Sequence, residues 1–162
     1  MIIGLIGSGT AGGEICALAE EVGRLVAKSG ALLICGGLGG VMEAACKGAS
    51  EASGLTVGVL PEDDARAANP YVRVPIATGL GIARNVIIVR ASDVLIAISG
   101  GYGTLNEIAA ALNLGKPVVG LRTWNLPAAG VVDPALFFPV TTAQEAVAKA
   151  LELARKRSET GG

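Results

Sequence analysis

Short, continuously apolar runs alternate with segments of helical periodicity along nearly the whole chain. The runs Ile2–Ile6, Ala31–Cys35, Leu55–Leu60, Val94–Ile98 and Val118–Leu121 predict β-strands, with shorter ones at Tyr71–Val74 and Leu136–Val140. Unbroken apolar runs, rather than alternating ones, are the pattern of parallel strands covered on both faces. Between the first two runs, Leu18, Val22, Leu25 and Val26 form an apolar stripe at helical spacing, and Gly30 is placed to end that helix. Further helices are predicted over Val41–Ser53, Gly81–Ala91, Thr104–Leu114 (closed by Gly115 and Pro117) and Thr142–Lys156. Strand–helix alternation at this spacing predicts an α/β fold. The expected form is a single-domain, Rossmann-like, doubly wound and mostly parallel sheet with helices on both faces, occupying residues 1–157, with residues 158–162 as a flexible tail.

Glycine marks one edge of that sheet. Gly7, Gly9, Gly12 and Gly13 follow the first strand, Gly36, Gly37, Gly39 and Gly40 the second, and Gly100, Gly101 and Gly103 the run at Val94–Ile98. Eleven of the 24 glycines therefore sit at strand C-terminal ends, the edge where open α/β sheets bind ligands. A strand leading through glycines into a helix leaves backbone N–H groups free near the positive end of the helix dipole, an arrangement suited to phosphate. The residues expected to hold it are Gly7, Ser8, Gly9, Gly36, Gly37, Gly100, Gly101, Tyr102, Gly103 and Thr104. Gly7-Ser8-Gly9-Thr10-Ala11-Gly12 matches the dinucleotide fingerprint GxGxxG, but Ala31–Cys35 ends in glycines with no carboxylate for a ribose, which argues against NAD.

Three charged residues accompany these loops. Arg84 stands near a predicted helix start, where the dipole disfavours a cation, so an anion at the sheet edge is its expected partner. Glu107, one turn into the predicted fourth helix, fits two roles equally: an N-terminal capping carboxylate, or a group that engages a ribose and acts as general acid or base. Glu43 has the same ambiguity after the second glycine loop.

Composition removes several alternatives. The chain has no histidine, which excludes Ser-His-Asp and Cys-His catalysis and every His-based metal site. Cys16, Cys35 and Cys46 are widely spaced, without CxxC, and read as three small buried hydrophobes rather than a metal site or a redox pair. A net charge of −1 offers no polybasic face for nucleic acid or membrane. The apolar runs are too short to span a bilayer, and the first strand begins at once, so a cytoplasmic location without a leader is expected.

Ser99-Gly100-Gly101-Tyr102-Gly103-Thr104-Leu105-Asn106-Glu107 resembles the PGGxGTxxE signature of proteins once described as possible lysine decarboxylases, among them the LONELY GUY phosphoribohydrolases. Gly36-Gly37-Leu38-Gly39-Gly40-Val41-Met42 is similar to the second glycine motif of that superfamily, GGGxxGLM, and Arg84 stands where it has the arginine of an Arg-Lys pair. Ser99 replaces the motif proline, Asn85 the lysine, and Gly81-Ile82 a Met-His pair. Thr78–Asn85 and Leu112–Trp124 look closer to the branch of the molybdenum cofactor carrier proteins. The resemblance implies a homo-oligomer, dimer or tetramer. It also implies a small phosphorylated ligand, either a nucleoside monophosphate or the molybdenum cofactor, with no cofactor or metal required. Its alternative is a phosphoribohydrolase that splits a nucleoside 5′-monophosphate into base and ribose 5-phosphate, in which Arg84 and Glu107 would be catalytic. Nothing in the sequence supports a pyridoxal phosphate lysine. Lys116 falls in a helix-to-strand turn on the edge opposite the glycine loops.

Overall fold

The computed structural model describes residues 1–124, 126, 133 and 135–159. Seven strands form one parallel sheet: β1 (Ile2–Gly7), β2 (Leu32–Cys35), β3 (Thr56–Leu60), β4 (Val74–Ala77), β5 (Val94–Ile98), β6 (Val118–Leu121) and β7 (Phe137–Val140). Their order is β4-β3-β2-β1-β5-β6-β7, so the winding reverses between β1 and β5, which pair in register from Ile3 with Val94 to Gly7 with Ile98. Five α-helices cover the sheet: α1 (Gly13–Lys28), α2 (Val41–Glu51), α3 (Asn85–Ala91), α4 (Tyr102–Asn113) and α5 (Ala143–Glu159).

The two faces have separate cores, as the continuous apolar strands require. Ile3, Leu5, Ile96 and Ile98 point to the side packed by α1, α2 and α5, while Ile6, Leu95 and Ala97 point to α3 and α4. The inward stripe of α1 is Ala19, Val22, Gly23 and Val26, with Leu18 and Leu25 only half-buried. It is narrower than the leucines suggest because α1 lies close against α2. The start of α5 is closed by a reciprocal cap. Thr142 Oγ1 accepts from the Glu145 N–H at 3.2 Å, and the Glu145 carboxylate accepts from the Thr141 and Thr142 N–H groups at 2.9 and 3.2 Å. Those bonds hold the Glu145 carboxyl below its usual range. The helix continues to Glu159, beyond the expected end at Lys156; residues 160–162 of the expected tail lie outside the described residues.

The third helix and the fourth strand also differ from expectation. The third helix does not run through Gly81–Ala91: a 3-10 turn over Gly81–Arg84 precedes α3, with Gly81 left-handed at φ 55°. The fourth strand is Val74–Ala77 rather than Tyr71–Val74, because Asn69 holds the preceding residues in a turn. Asn69 Oδ1 accepts from the Tyr71 N–H at 3.1 Å, while its Nδ2 donates to the carbonyls of Gly37 and Leu38 at 3.2 and 2.9 Å. Asn69 is buried, so this one side chain fixes the second glycine loop from beneath. Asn69→Ala takes the side-chain donor from the Leu38 carbonyl, while the Gly37 carbonyl keeps the Asn69 backbone N–H at 2.9 Å, and is expected to lower the unfolding free energy by about 1–3 kcal/mol, read by urea denaturation.

No described helix is long and apolar enough to cross a membrane. Cys35 and Cys46 are buried, as expected, but Cys16 is only half-buried, and the fold brings the Cys35 and Cys46 sulfurs to 3.5 Å as free thiols.

Candidate functional site

The glycine loops converge where the strand order reverses. A cavity of about 460 Å³ opens there at the C-terminal ends of β1, β2 and β5. Gly7, Ser8 and Gly9 form one wall and Gly101, Gly103 and Thr104 the facing one. Gly36, Arg84 and Glu107 close the floor. Nine of the expected residues thus line one cavity, and three do not. Gly37 turns away beneath the second loop with φ 72°, its N–H donating to Cys35 Sγ at 3.3 Å. Gly100 stands at φ 112°, where an added Cβ would collide with the Thr104 side chain. Tyr102 is 86% exposed and stacks on Trp124, with ring centroids 6.4 Å apart. The sequence reading missed Met42, Pro61, Ile82 and Asn85, which also line the cavity. None carries a signature of its own. Only the position of Asn85 directly after Arg84 could have pointed to it.

Ser99 stands at φ 53°, a left-handed conformation that a proline ring, locked near −65°, cannot adopt. The chain therefore leaves β5 along a path closed to the motif proline. The Ser99 carbonyl accepts from Thr123 Oγ1 at 2.6 Å, which ties this turn to the end of β6.

Arg84 does not reach over the edge from solvent; it is buried, with 8% of its surface exposed. Its position at the end of the 3-10 turn drops the side chain under the second glycine loop. A Cβ at Gly36 would stand 2.6 Å from Arg84 Nη2 and 2.7 Å from the Met42 sulfur, so the guanidinium occupies the space of a missing side chain. Arg84 Nε has no hydrogen-bond partner. Burial pulls its pKa down, opposed by the charges of Glu107, Cys35 and Glu62, yet a guanidinium stays charged under any ordinary condition.

Glu107 is not a capping carboxylate. The fourth helix begins at Tyr102, two residues before the expected start, and carries no side-chain cap bond. Glu107 consequently falls in the second turn, facing inward and 7% exposed. Burial raises its pKa to about 7, even against the favourable charge of Arg84. The two groups share the cavity floor without a hydrogen bond or an ion pair between them. A buried cation with an unused donor beside a carboxyl whose pKa is about 7 has the chemistry to hold an anion and to exchange a proton.

Glu107 also makes stability depend on pH. Its folded pKa of about 7 lies above the ordinary 4.5, so between those values the folded chain holds a proton that the unfolded chain has lost. The contribution is full below pH 4.5 and is lost as pH rises through about 7, with an amplitude on the order of 3 kcal/mol. Glu107→Gln is expected to abolish this dependence, so that its stability advantage over the parent chain grows from pH 5 to pH 8 in chemical denaturation.

Lys116 lies at the opposite edge, its Nζ donating to the carbonyls of Arg90 (2.7 Å) and Ser92 at the end of α3, which gives it a structural task far from the cavity. No cluster of three or more metal-ligating His, Cys, Asp or Glu side chains occurs among the described residues.

A doubly wound parallel sheet with a glycine-walled cavity at its reversal point defines a Rossmann-like ligand-binding protein. More specifically, residues 1–155 match the model of the SLOG cluster4 family, and the chain belongs to that family. A protein of Archaeoglobus fulgidus, named only as uncharacterized, is 51% identical over 122 residues, which is 75% of this chain and 80% of the relative. Among solved structures, the molybdenum cofactor binding protein from Rippkaea orientalis is 36% identical with a TM-score of 0.86, covering 94% of this chain and 96% of its own. The molybdenum cofactor carrier protein from Chlamydomonas reinhardtii is 38% identical with a TM-score of 0.87, covering 95% and 98%.

Proposed function

We propose that this chain is a carrier or storage protein for a phosphorylated, ring-bearing cofactor of the molybdenum cofactor or nucleotide class. The observation that carries the reading is Arg84: a buried guanidinium with an orphaned Nε on the floor of a cavity walled by glycine backbone. Leaving a charged donor buried and unpartnered is unfavourable, and a phosphate held between Arg84 and the Gly7–Gly9 and Gly101–Thr104 walls relieves it. The likeness to molybdenum cofactor binding and carrier proteins over nearly the whole chain supports the ligand class. Calorimetry of the full chain with AMP, GMP, pyrophosphate and molybdenum cofactor tests the reading. Binding of at least one phosphorylated compound, without its breakdown, is the expected result; binding of none overturns it.

A second reading, the phosphoribohydrolase, is favoured by one observation. Glu107, with a pKa of about 7 beside Arg84, is ionised in part at neutral pH, and in that form it would engage a ribose and stabilise the positive charge that develops as an N-glycosidic bond breaks. Release of free base from AMP, abolished by Glu107→Gln, replaces the carrier reading with this one.

The proposal includes a homo-oligomer. Ile82 is 72% exposed, and Leu80, Val86 and Ile87 beside it, with Val74 and Ile76 of the edge strand β4, are exposed as well. Exposed apolar side chains on the edge strand and on the turn and helix that follow it suit contact with a second copy. Sedimentation is expected to read a mass of two or four subunits; a single-subunit mass overturns this part.

A further inference from the structure

A second cavity, of about 530 Å³, lies on the far side of the first glycine loop. It lies beneath the loop over the start of α2, between Thr10 and Ala11 on one side and Glu43, Lys47 and Tyr71 on the other. The two cavities share Gly9. What separates them is bare backbone: a Cβ at Gly40 would stand 2.5 Å from the Gly9 carbonyl carbon, and one at Gly39 would stand 3.5 Å from the Gly9 oxygen. The Val41 N–H donates to the Ser8 carbonyl at 3.0 Å and pins the first loop onto the start of α2. The two cavities therefore meet at glycine backbone, with no side chain of Gly9, Gly39 or Gly40 standing between them.

The second cavity has a chemistry of its own. Lys47 is engaged by Glu20 at 2.9 Å, so its charge is already met. Glu43 has no hydrogen-bond or ion-pair partner among the described residues, and offers two acceptor oxygens to the cavity. A carboxylate recognises a ring edge carrying adjacent N–H donors, the edge that guanine and pterin share. The half-buried Tyr71 ring supplies an apolar wall for a planar group.

We infer that the site takes a two-headed ligand: two ring systems joined through a pyrophosphate, with one phosphate on Arg84 and its ring in the same cavity, the second phosphate at Gly9, and a donor-edged ring against Glu43. The inference rests on the proposed phosphate site at Arg84 and extends it. Joining the heads makes the second contact intramolecular, so affinity rises without a new protein movement.

The test is calorimetry of the full chain with GMP, GDP and di(guanosine-5′) diphosphate, on the parent chain and on Glu43→Leu. Glu43 is half-buried on α2, and its carboxylate supports no other group, so the variant is expected to fold; circular dichroism checks this. The expected result is that the dinucleotide binds about tenfold or more tighter than either GMP or GDP. Glu43→Leu should erase that advantage and bring the dinucleotide to the affinity of GDP. A dinucleotide no tighter than GDP overturns the inference, because the gain then comes from the second phosphate alone. So does an advantage that Glu43→Leu leaves intact. Either outcome, with a monophosphate still binding, leaves the carrier reading standing. Failure of every phosphorylated compound to bind overturns the carrier reading and this inference together.

Discussion

Arg84→Met is expected to abolish ligand binding while leaving the unliganded protein at least as stable as before. The two effects have opposite signs because the same feature produces both. In the folded chain the Arg84 guanidinium is buried with an unpartnered Nε, close to a Glu107 that it does not bond. Removing an incompletely paired buried charge takes away a desolvation cost, so unliganded stability should rise by about 1–3 kcal/mol or stay level. Methionine keeps the length of the stem under Gly36, so no large void opens. With ligand present, the phosphate loses its one buried cation, which should weaken binding by about 2–5 kcal/mol, or thirtyfold to several thousandfold. Thermal unfolding and calorimetry of the same variant check both halves. A variant that unfolds easily and still binds would make Arg84 a structural residue and remove the basis of the proposed site.

Gly48→Ala is expected to be the most damaging small substitution in the scaffold. A Cβ at Gly48 would stand 2.7 Å from the backbone carbonyl carbon of Glu20, and one at Gly23 would stand 2.7 Å from that of Ala45. Helices α1 and α2 thus meet backbone to backbone at two reciprocal points, with the glycine of each helix against the chain of the other. Rigid backbone cannot swing aside as a side chain can, so one added methyl must separate the helices. Overpacking of this kind costs about 3 kcal/mol or more, against about 1 kcal/mol that alanine returns through its helix propensity. Urea denaturation of Gly48→Ala measures the net loss. The site should feel it too, because α1 and α2 carry the loops that lead into Gly13 and Val41. A variant of parental stability would show that the crossing can open freely.

Much of the architecture was legible beforehand because the signals are local. A run such as Val94–Ile98, buried on both faces of the sheet, must be apolar at every position, and its bounds in the structure are those of the run. The last helix, expected from Thr142, begins at Ala143 behind the reciprocal cap of Thr142 and Glu145, which is local side-chain chemistry. Boundaries slipped where a distant contact overrode local pattern. Asn69 reaches the Gly37 and Leu38 carbonyls and delays the fourth strand to Val74. Gly81 adopts a left-handed turn and delays α3 to Asn85.

The chemistry of the site divides along the same line. Glycines at strand ends announce a ligand edge, because a close approach to phosphate needs bare backbone and that need is written into residue type. Burial is not written there. Glu107 reads equally well as a cap and as a reactive carboxyl until the structure places it in the second turn, faces it inward and raises its pKa to about 7. Arg84 reads as an edge residue until it is seen occupying the space left by Gly36, 48 residues earlier in the chain. The contact of Cys35 with Cys46 and the bare ridge of Gly9 over Gly40 are likewise invisible along the chain. Desolvation and steric exclusion depend on every atom that surrounds a group, and for these residues most of those atoms arrive from other elements. Hydrophobic periodicity and glycine placement were enough to determine the sheet and the edge where the cavity opens, whereas the charge state of its floor and the shape of its cavities came only with the packed chain.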